Sequence, residues 1–182
     1  ISDWGHDFRP DYRRIRDAIA DLPAGTPVVA TTATANDRVM ADVAEQLGSD
    51  TLVLRGTLDR ESLHLGVARL PGLAHRLAWL VQRIRAVDGT GIVYCLTVDQ
   101  TEQVATFLQQ HGVDAVAYSG RTDSDARHEL EARFKANEVK ALVATSALGM
   151  GFDKPDLGFV VHLGAPSSPI SYYQQIGRAG RG

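Results

Sequence analysis

Short apolar runs alternate along this chain with stretches of helical periodicity, and that rhythm limits the fold more than any other feature. The runs are "PVVATT" (27–32), "TLVL" (51–54), "GIVYC" (91–95), "DAVAYS" (114–119), "KALVAT" (140–145) and "GFVVHL" (158–163). Each has the length of a strand and is apolar almost throughout, as a strand buried on both faces must be. Between them, apolar residues recur three and four apart. Tyr12, Ile15, Ile19 and Leu22 form one stripe, and Val39, Val43 and Leu47 a second. Leu73, Leu77, Leu80, Val81 and Ile84 form a third, Val104, Phe107 and Leu108 a fourth, and Ala126, Leu130 and Phe134 a fifth. Gly48, Gly89 and Gly112 fall where those helices should stop, since glycine accepts the left-handed cap. Buried strands alternating with amphipathic helices imply an α/β fold: a parallel sheet covered by helices on both faces.

Composition narrows the class. The 182 residues are 44% hydrophobic and 23% charged, as in an ordinary globular protein, and the formal net charge is −3. Overall charge therefore does not advertise nucleic-acid binding, though a local basic groove is compatible with it. Cys95 is the one cysteine, so no disulfide and no cysteine-built zinc site can form within the chain. That usage fits a reducing, cytoplasmic setting. No apolar run approaches the ~20 residues that span a bilayer. The start, Ile-Ser-Asp, has neither methionine nor a signal-peptide pattern. The expectation is an excerpt of a longer protein.

The rhythm falters at "RGTLDRESLHLGV" (55–67), which is polar and without a stripe. Residues 56–66 are expected to link the tail of one domain (1–55) to a second domain (67–182). In open parallel sheets ligands sit beyond the carboxyl ends of the strands. The stretches "TTATAND", "CLTVDQ", "TSALGMGFDKP" and "GAPSSP" all occupy such positions.

Several of these stretches carry possible chemistry, each beside a plainer alternative. In "QQIGRAGR" (174–181), Arg178 and Arg181 lie three apart and face one way on a helical turn. Both could reach one polyphosphate; the alternative is a solvated basic helix end. No Gly-rich loop ending in Gly-Lys-Ser or Gly-Lys-Thr occurs in the 182 residues, so something else must hold a nucleotide there. In "TSALGMGFDKP" (145–155), a glycine loop can expose backbone N–H groups and present a carboxylate to a sugar hydroxyl; it could equally be an ordinary turn. "ISDWGHDFRPDY" (1–12) interleaves Trp4, His6, Phe8, Arg9 and Tyr12, which suits base stacking and phosphate contact, or a loop whose aromatics plug a core. "ATTATAND" (30–37) is a strand end leading to an Asn36 or Asp37 cap. Cys95 reads as a buried small hydrophobe. His75, His111 and His128 have no metal-ligand spacing and read as surface residues, while His64 and His162 near strands have no assigned role.

Taken in order, "WGHDFRPDY", "TTATA", "IVYC", "VATSALGMGFDKP" and "SYYQQIGRAGRG" resemble the RecQ family of superfamily-two DNA helicases along the whole chain. The resemblance implies two RecA-like domains of the P-loop NTPase type with ATP between them. The first supplies the P-loop and a Mg-binding DExH box, and the second supplies arginine fingers. Residues 2–9 would be the family's aromatic-rich loop and 32–35 its motif III, with Thr32 and Thr34 in a coupling role. "IVYCLT" would be motif IV, "ATSALGMGFD" motif V and "QQIGRAGR" motif VI. Arg178, Arg181 and Gln174 would be catalytic, the arginines meeting the γ-phosphate. Gly151 and Asp153 would bind the nucleotide, Asp153 at its ribose. Thr145 would contact the DNA backbone. Trp4, Phe8 and Arg9 would sense single-stranded DNA, with His6 relaying that contact. ATP and Mg are the implied cofactors, held mainly by first-domain motifs, and single-stranded DNA and duplex junctions the implied partners. The motor would be monomeric, free of the membrane, and would travel 3′ to 5′.

The chain departs from the family at "LDRES" (58–62), where Phe-Asp-Arg-Pro-Asn is usual, and at "YSGR" (118–121), where Tyr-His-Ala-Gly is usual. Two further readings stand beside the helicase: another motor on the same fold, such as an RNA helicase or annealing translocase, and a non-catalytic binding scaffold. "WGHDFRP" speaks against the first, and the presence of both motif VI arginines against the second.

Overall fold

The computed structural model describes residues 14–23, 25–32, 37–48, 51–56, 61–146, 148 and 152–179. The chain divides into two compact units, Ile1–Asp59 and Arg60–Gly182. Among the described residues of the first unit are two helices, α1 (Ile15–Ala20) and α2 (Asp37–Leu47). Asp37 places a carboxylate in the first turn of α2, where the helix dipole favours it, and Arg55 pairs with it. Gly48, at φ +112°, ends α2.

The strands expected at 27–32 and 51–54 are not formed: both stretches run without ladder pairing, leaving Val29 84% and Leu54 84% exposed. An apolar strand gains nothing from its own sequence. It needs neighbours that accept its backbone hydrogen bonds and helices that cover its side chains. The described residues of this unit supply neither.

The second unit contains α3 (Leu73–Ala86), β1 (Thr90–Cys95), α4 (Val98–Gln110), β2 (Ala115–Tyr118), α5 (Ser124–Lys135), β3 (Ala141–Ala144), β4 (Leu157–Leu163) and α6 (Pro169–Ile176). The strands form one sheet in the order β2-β3-β1-β4, and every pairing is parallel. Because side chains alternate along a strand, the sheet has two distinct faces. Val93, Cys95, Ala141 and Val143 meet Leu80, Val81 and Ile84 of α3 and Val104 and Leu108 of α4. Ile92, Tyr94, Leu142 and Ala144 meet Leu130 and Phe134 of α5, together with Leu148, Phe152 and Ala179. The α/β reading is thus borne out; of the stripes read from the sequence, Leu80, Val81, Ile84, Val104, Leu108, Leu130 and Phe134 are buried, while Leu73 and Ala126 at the helix starts are exposed. Burying a Leu or Ile side chain contributes roughly 1.5–3 kcal/mol. Leu80, Ile84 and Leu108, each at most 1% exposed, gain all of that.

Caps and glycines set the element ends. Thr97 accepts a hydrogen bond from the Gln100 N–H and Asp123 one from the Asp125 N–H, at the starts of α4 and α5. Gly89 and Gly112 have φ of +74° and +70°, as their places at helix ends require. Gly91 is needed for a different reason: a Cβ there would lie 2.3 Å from the Phe159 ring on the neighbouring strand.

Candidate functional site

The carboxyl ends of β1, β3 and β4 converge on one edge of the sheet, where α6 also begins. β3 ends at Ala144, and the chain from 145 must return to the start of β4. Its described residues form no helix, and Leu148 and Phe152 pack on the face that α5 covers. Thr145 is buried, and its carbonyl accepts from the Leu148 N–H at 3.1 Å. Leu148, 2% exposed, and Phe152, 8% exposed, sink into the core. Phe152 stacks on Phe134 of α5 with ring centroids 5.7 Å apart. Asp153 then emerges exposed.

Beyond it, Lys154 is buried and donates to Asp156 Oδ1 and to Asn137 Oδ1, each at 2.7 Å. Asn137, in the left-handed region at φ +62°, donates to Asp156 Oδ2 at 2.8 Å. The hydrogen bond from Lys154, then that from Asn137, hold the Asp156 carboxyl down at about 2. A buried ammonium is tolerable only when paired, and this network supplies the pairing. It fixes the far end of the crossing segment at the amino ends of β1 and β4.

Helix α6 carries the other half of the site. Ser168 caps it, accepting from the Ser171 N–H at 3.1 Å, and Pro169 occupies its first turn, where a missing N–H costs nothing. Gly177 closes it, its N–H bonding to the Tyr173 carbonyl at 2.9 Å. One residue later, Arg178 turns inward. Its Nη1 donates to the Phe152 carbonyl at 2.8 Å and its Nη2 to the Leu148 carbonyl at 3.1 Å. The guanidinium therefore joins the end of α6 to both anchor points of the 148–152 loop. It also lies beside the Tyr94 phenol, which burial pushes up and the Arg178 charge draws back.

Of the residues singled out in the sequence, the structure brings Arg178 to the 145–153 loop, with Asp153 exposed at the loop's end and Thr145 at its buried start. Gln174 is on the exposed side of α6. Thr32 is exposed in the first unit. Trp4, His6, Phe8, Arg9, Thr34, Gly151 and Arg181 lie outside the described residues. Cys95 is buried, and burial pushes its thiol up to about 12, consistent with an inert core residue. His75, His111 and His128 are exposed, as read from the sequence.

Four residues to which sequence reasoning gave no role, His162, Tyr94, Tyr172 and Gln175, stand at this edge. His162 of β4 stacks on Tyr94 of β1, its partner in register, with centroids 5.4 Å apart. Its Nε2 is 2.8 Å from Gln175 Oε1 on α6. The available signals were a polar residue inside the otherwise apolar "FVVHL" and the three-residue spacing of Tyr172 and Gln175, which puts both on one helix face.

The helicase conserved C-terminal domain model matches residues 75–182. The chain belongs to that family. Across its whole length it is similar to RecQ-type helicases, as its motifs indicated. The ATP-dependent helicase SGS1 of Saccharomyces cerevisiae is 34% identical over 100% of this chain and 12% of its own length. The RecQ-like DNA helicase BLM of Xenopus laevis is 36% identical over 100% of this chain and 13% of its own. The putative ATP-dependent DNA helicase Q1 of Caenorhabditis briggsae is 37% identical over 99% of this chain and 30% of its own. The chain thus spans 12% to 30% of the length of these curated relatives. Among solved structures, S. cerevisiae Dbp5 bound to RNA and ADP BeF3 superposes with a TM-score of 0.72 at 21% identity, over 99% of this chain and 48% of that one. Mycobacterium smegmatis Lhr bound to ssDNA and AMP-PNP gives 0.54 at 26% identity, over 59% of this chain and 15% of that one. The Dbp5 likeness shows the RecA-like fold alone.

Proposed function

We propose that this chain is part of an ATP-dependent DNA helicase of the RecQ type, in which residues 60–182 act as the second motor domain. The observation that carries the reading is the placement of motif VI. Arg178 is bound to the carbonyls of Leu148 and Phe152, in the segment that follows the carboxyl end of β3. The carboxyl end is where an open α/β sheet takes a ligand. DNA rather than RNA is proposed because relatives matching the full chain are named DNA helicases, whereas the RNA-bound structure resembles this one in fold only. Travel from 3′ to 5′ belongs to the same proposal.

In this reading ATP and Mg bind mainly to a partner domain, and this domain completes the site when it closes. The bound nucleotide with Mg supplies the scissile phosphoanhydride and much of the charge neutralisation. What this chain contributes is charge at the γ-phosphate, which spreads over the outer oxygens as the bond breaks. Arg178 spends two of its donors on loop carbonyls. The direct finger is therefore assigned to Arg181, and Arg178 shapes the loop that presents Asp153 to the ribose. Gly151 and Gln174, the latter exposed on α6, are assigned to the same nucleotide site. Thr145, being buried, sets the loop's first turn through its carbonyl rather than gripping DNA from the surface.

In the intact protein, Arg181→Ala should cut DNA-stimulated ATP turnover by about 10³-fold or more, the range for a lost arginine finger. DNA affinity should be unchanged. Near-normal turnover by that variant would overturn the assignment.

A further inference from the structure

Helix α6 has a weak hold on the domain for an element asked to place catalytic charge. It is 8 residues long and none of its residues is buried. Apolar burial normally fixes the rotation and tilt of a helix against a sheet. Here polar and ring contacts share that task, and His162 makes two of them. His162 touches Tyr172 and Gln175, which lie three apart on the inward face of α6. The first contact is a tilted ring pair with centroids 5.5 Å apart, and the second is the 2.8 Å hydrogen bond. Its opposite face stacks on Tyr94, at an interplanar angle of 15°. Tyr94 in turn lies beside the Arg178 guanidinium. The imidazole thus lies between β1 and the helix, with two contacts to one face of α6.

We propose that His162 is a positioning residue for motif VI: by holding Gln175 and Tyr172, it fixes the rotation of α6 and so the direction in which Arg178 and the residues after it leave the helix. The inference rests on the helicase reading above. With 3.6 residues per turn, a helix rotated by one residue loses both contacts together, so the pair selects one orientation. Burial disfavours the charged imidazole, while the hydrogen bond to Gln175 Oε1 opposes that shift. In the neutral ring Nε2 donates to Gln175 Oε1 and the stack with Tyr94 remains uncharged. The lever is geometric: a displacement of about 1 Å at a reacting group costs up to ~10²-fold in rate.

The test uses the intact protein at saturating single-stranded DNA, with His162→Ala, Gln175→Ala, the double variant and His162→Gln. The readouts are kcat and KM for ATP, the DNA Kd, and the fraction of folded protein from thermal unfolding. Each alanine variant should lose about tenfold in kcat, with KM and Kd held within about twofold, the signature of an interaction expressed in the transition state. The double variant should be no worse than the poorer single, because both break one contact. His162→Gln keeps a donor near the Nε2 position and should restore most of kcat.

A normal kcat in folded Gln175→Ala overturns the inference, and this variant leaves the sheet untouched should His162→Ala fail to fold. Multiplicative losses in the double variant, or a kcat loss that merely follows the folded fraction, overturn it as well. An intact wild-type protein without DNA-stimulated hydrolysis would instead defeat the helicase reading and this inference with it. Active wild type with unaffected variants defeats this inference alone.

Discussion

Replacing Arg178 by alanine should unfold the second unit more readily as well as slow its chemistry, and the two effects have separable sizes. The guanidinium satisfies the carbonyls of Phe152 and Leu148 with bonds of 2.8 and 3.1 Å. Both carbonyls belong to residues whose side chains are buried, so the loop cannot simply swing its backbone out to water. A hydrogen bond to a charged donor contributes about 1.5–3 kcal/mol net. Arg178 itself is only half-buried, and water will replace part of what is lost. The variant should therefore lose about 2–4 kcal/mol of stability. For a domain of this size a kcal/mol moves the melting midpoint by about 4 °C, so the fall should be about 8–16 °C. Arg178→Lys should recover less than half, because one ammonium lacks the planar fork that spans two carbonyls. The assay is thermal and urea unfolding of wild type, Arg178→Ala, Arg178→Lys and Arg181→Ala. Only the two Arg178 variants should shift. A melting point for Arg178→Ala within about 2 °C of wild type would refute the reasoning. The guanidinium would then be free to serve a phosphate instead.

Three further outcomes follow from the sequence and the site. The 182-residue chain alone should show no Mg-dependent ATP hydrolysis, since it contains no Gly-Lys-Ser or Gly-Lys-Thr loop; robust turnover in a coupled assay would contradict this. Trp4→Ala or Phe8→Ala in the intact protein should lower the plateau of ATP turnover against single-stranded DNA concentration more than it shifts the midpoint; a shifted midpoint with an unchanged plateau would reduce the aromatic stretch to a binding patch. Asp156, held at about 2 against an ordinary 3.8, binds protons more weakly folded than unfolded, so its contribution is present above 3.8 and lost as pH falls from there toward 2. Because the carboxylate faces solvent the effect should be small, and acid titration of unfolding for Asp156→Asn should lack that part of the slope.

The strands and helices of the second unit were legible because periodicity reports burial, and burial is what the sheet imposes. Val93 and Cys95 on one face and Ile92 and Tyr94 on the other are simply consecutive apolar residues in "GIVYC". The same signal was present in "PVVATT" and "TLVL" and produced no strand, with Val29 and Leu54 left exposed. A strand is a statement about neighbours, and a run of Val and Leu states only that neighbours are wanted. Helix α3 needs no such partner for its backbone, and its apolar stripe was enough to predict it.

At the site, strand ends were legible and side-chain direction was not. Motif spacing drew attention to Arg178, just after the helix that follows β4, and to Gln174 on it. It did not reveal that Gln175, the next residue, is the one turned toward His162, or that Arg178 points at carbonyls rather than outward. Arginines three apart share a helix face only while the helix lasts, and α6 ends at Ile176, before either of them. Past that point Arg178 follows its local turn, and Ala179 beside it is 7% exposed in the core. Arg178 is drawn in by the loop it holds; under the function proposed above, the direct approach to phosphate is assigned to Arg181. Under the proposed function, coupling between nucleotide and loop would run through these bonds: a movement of α6 against β4 moves Arg178, which holds the carbonyls of Leu148 and Phe152.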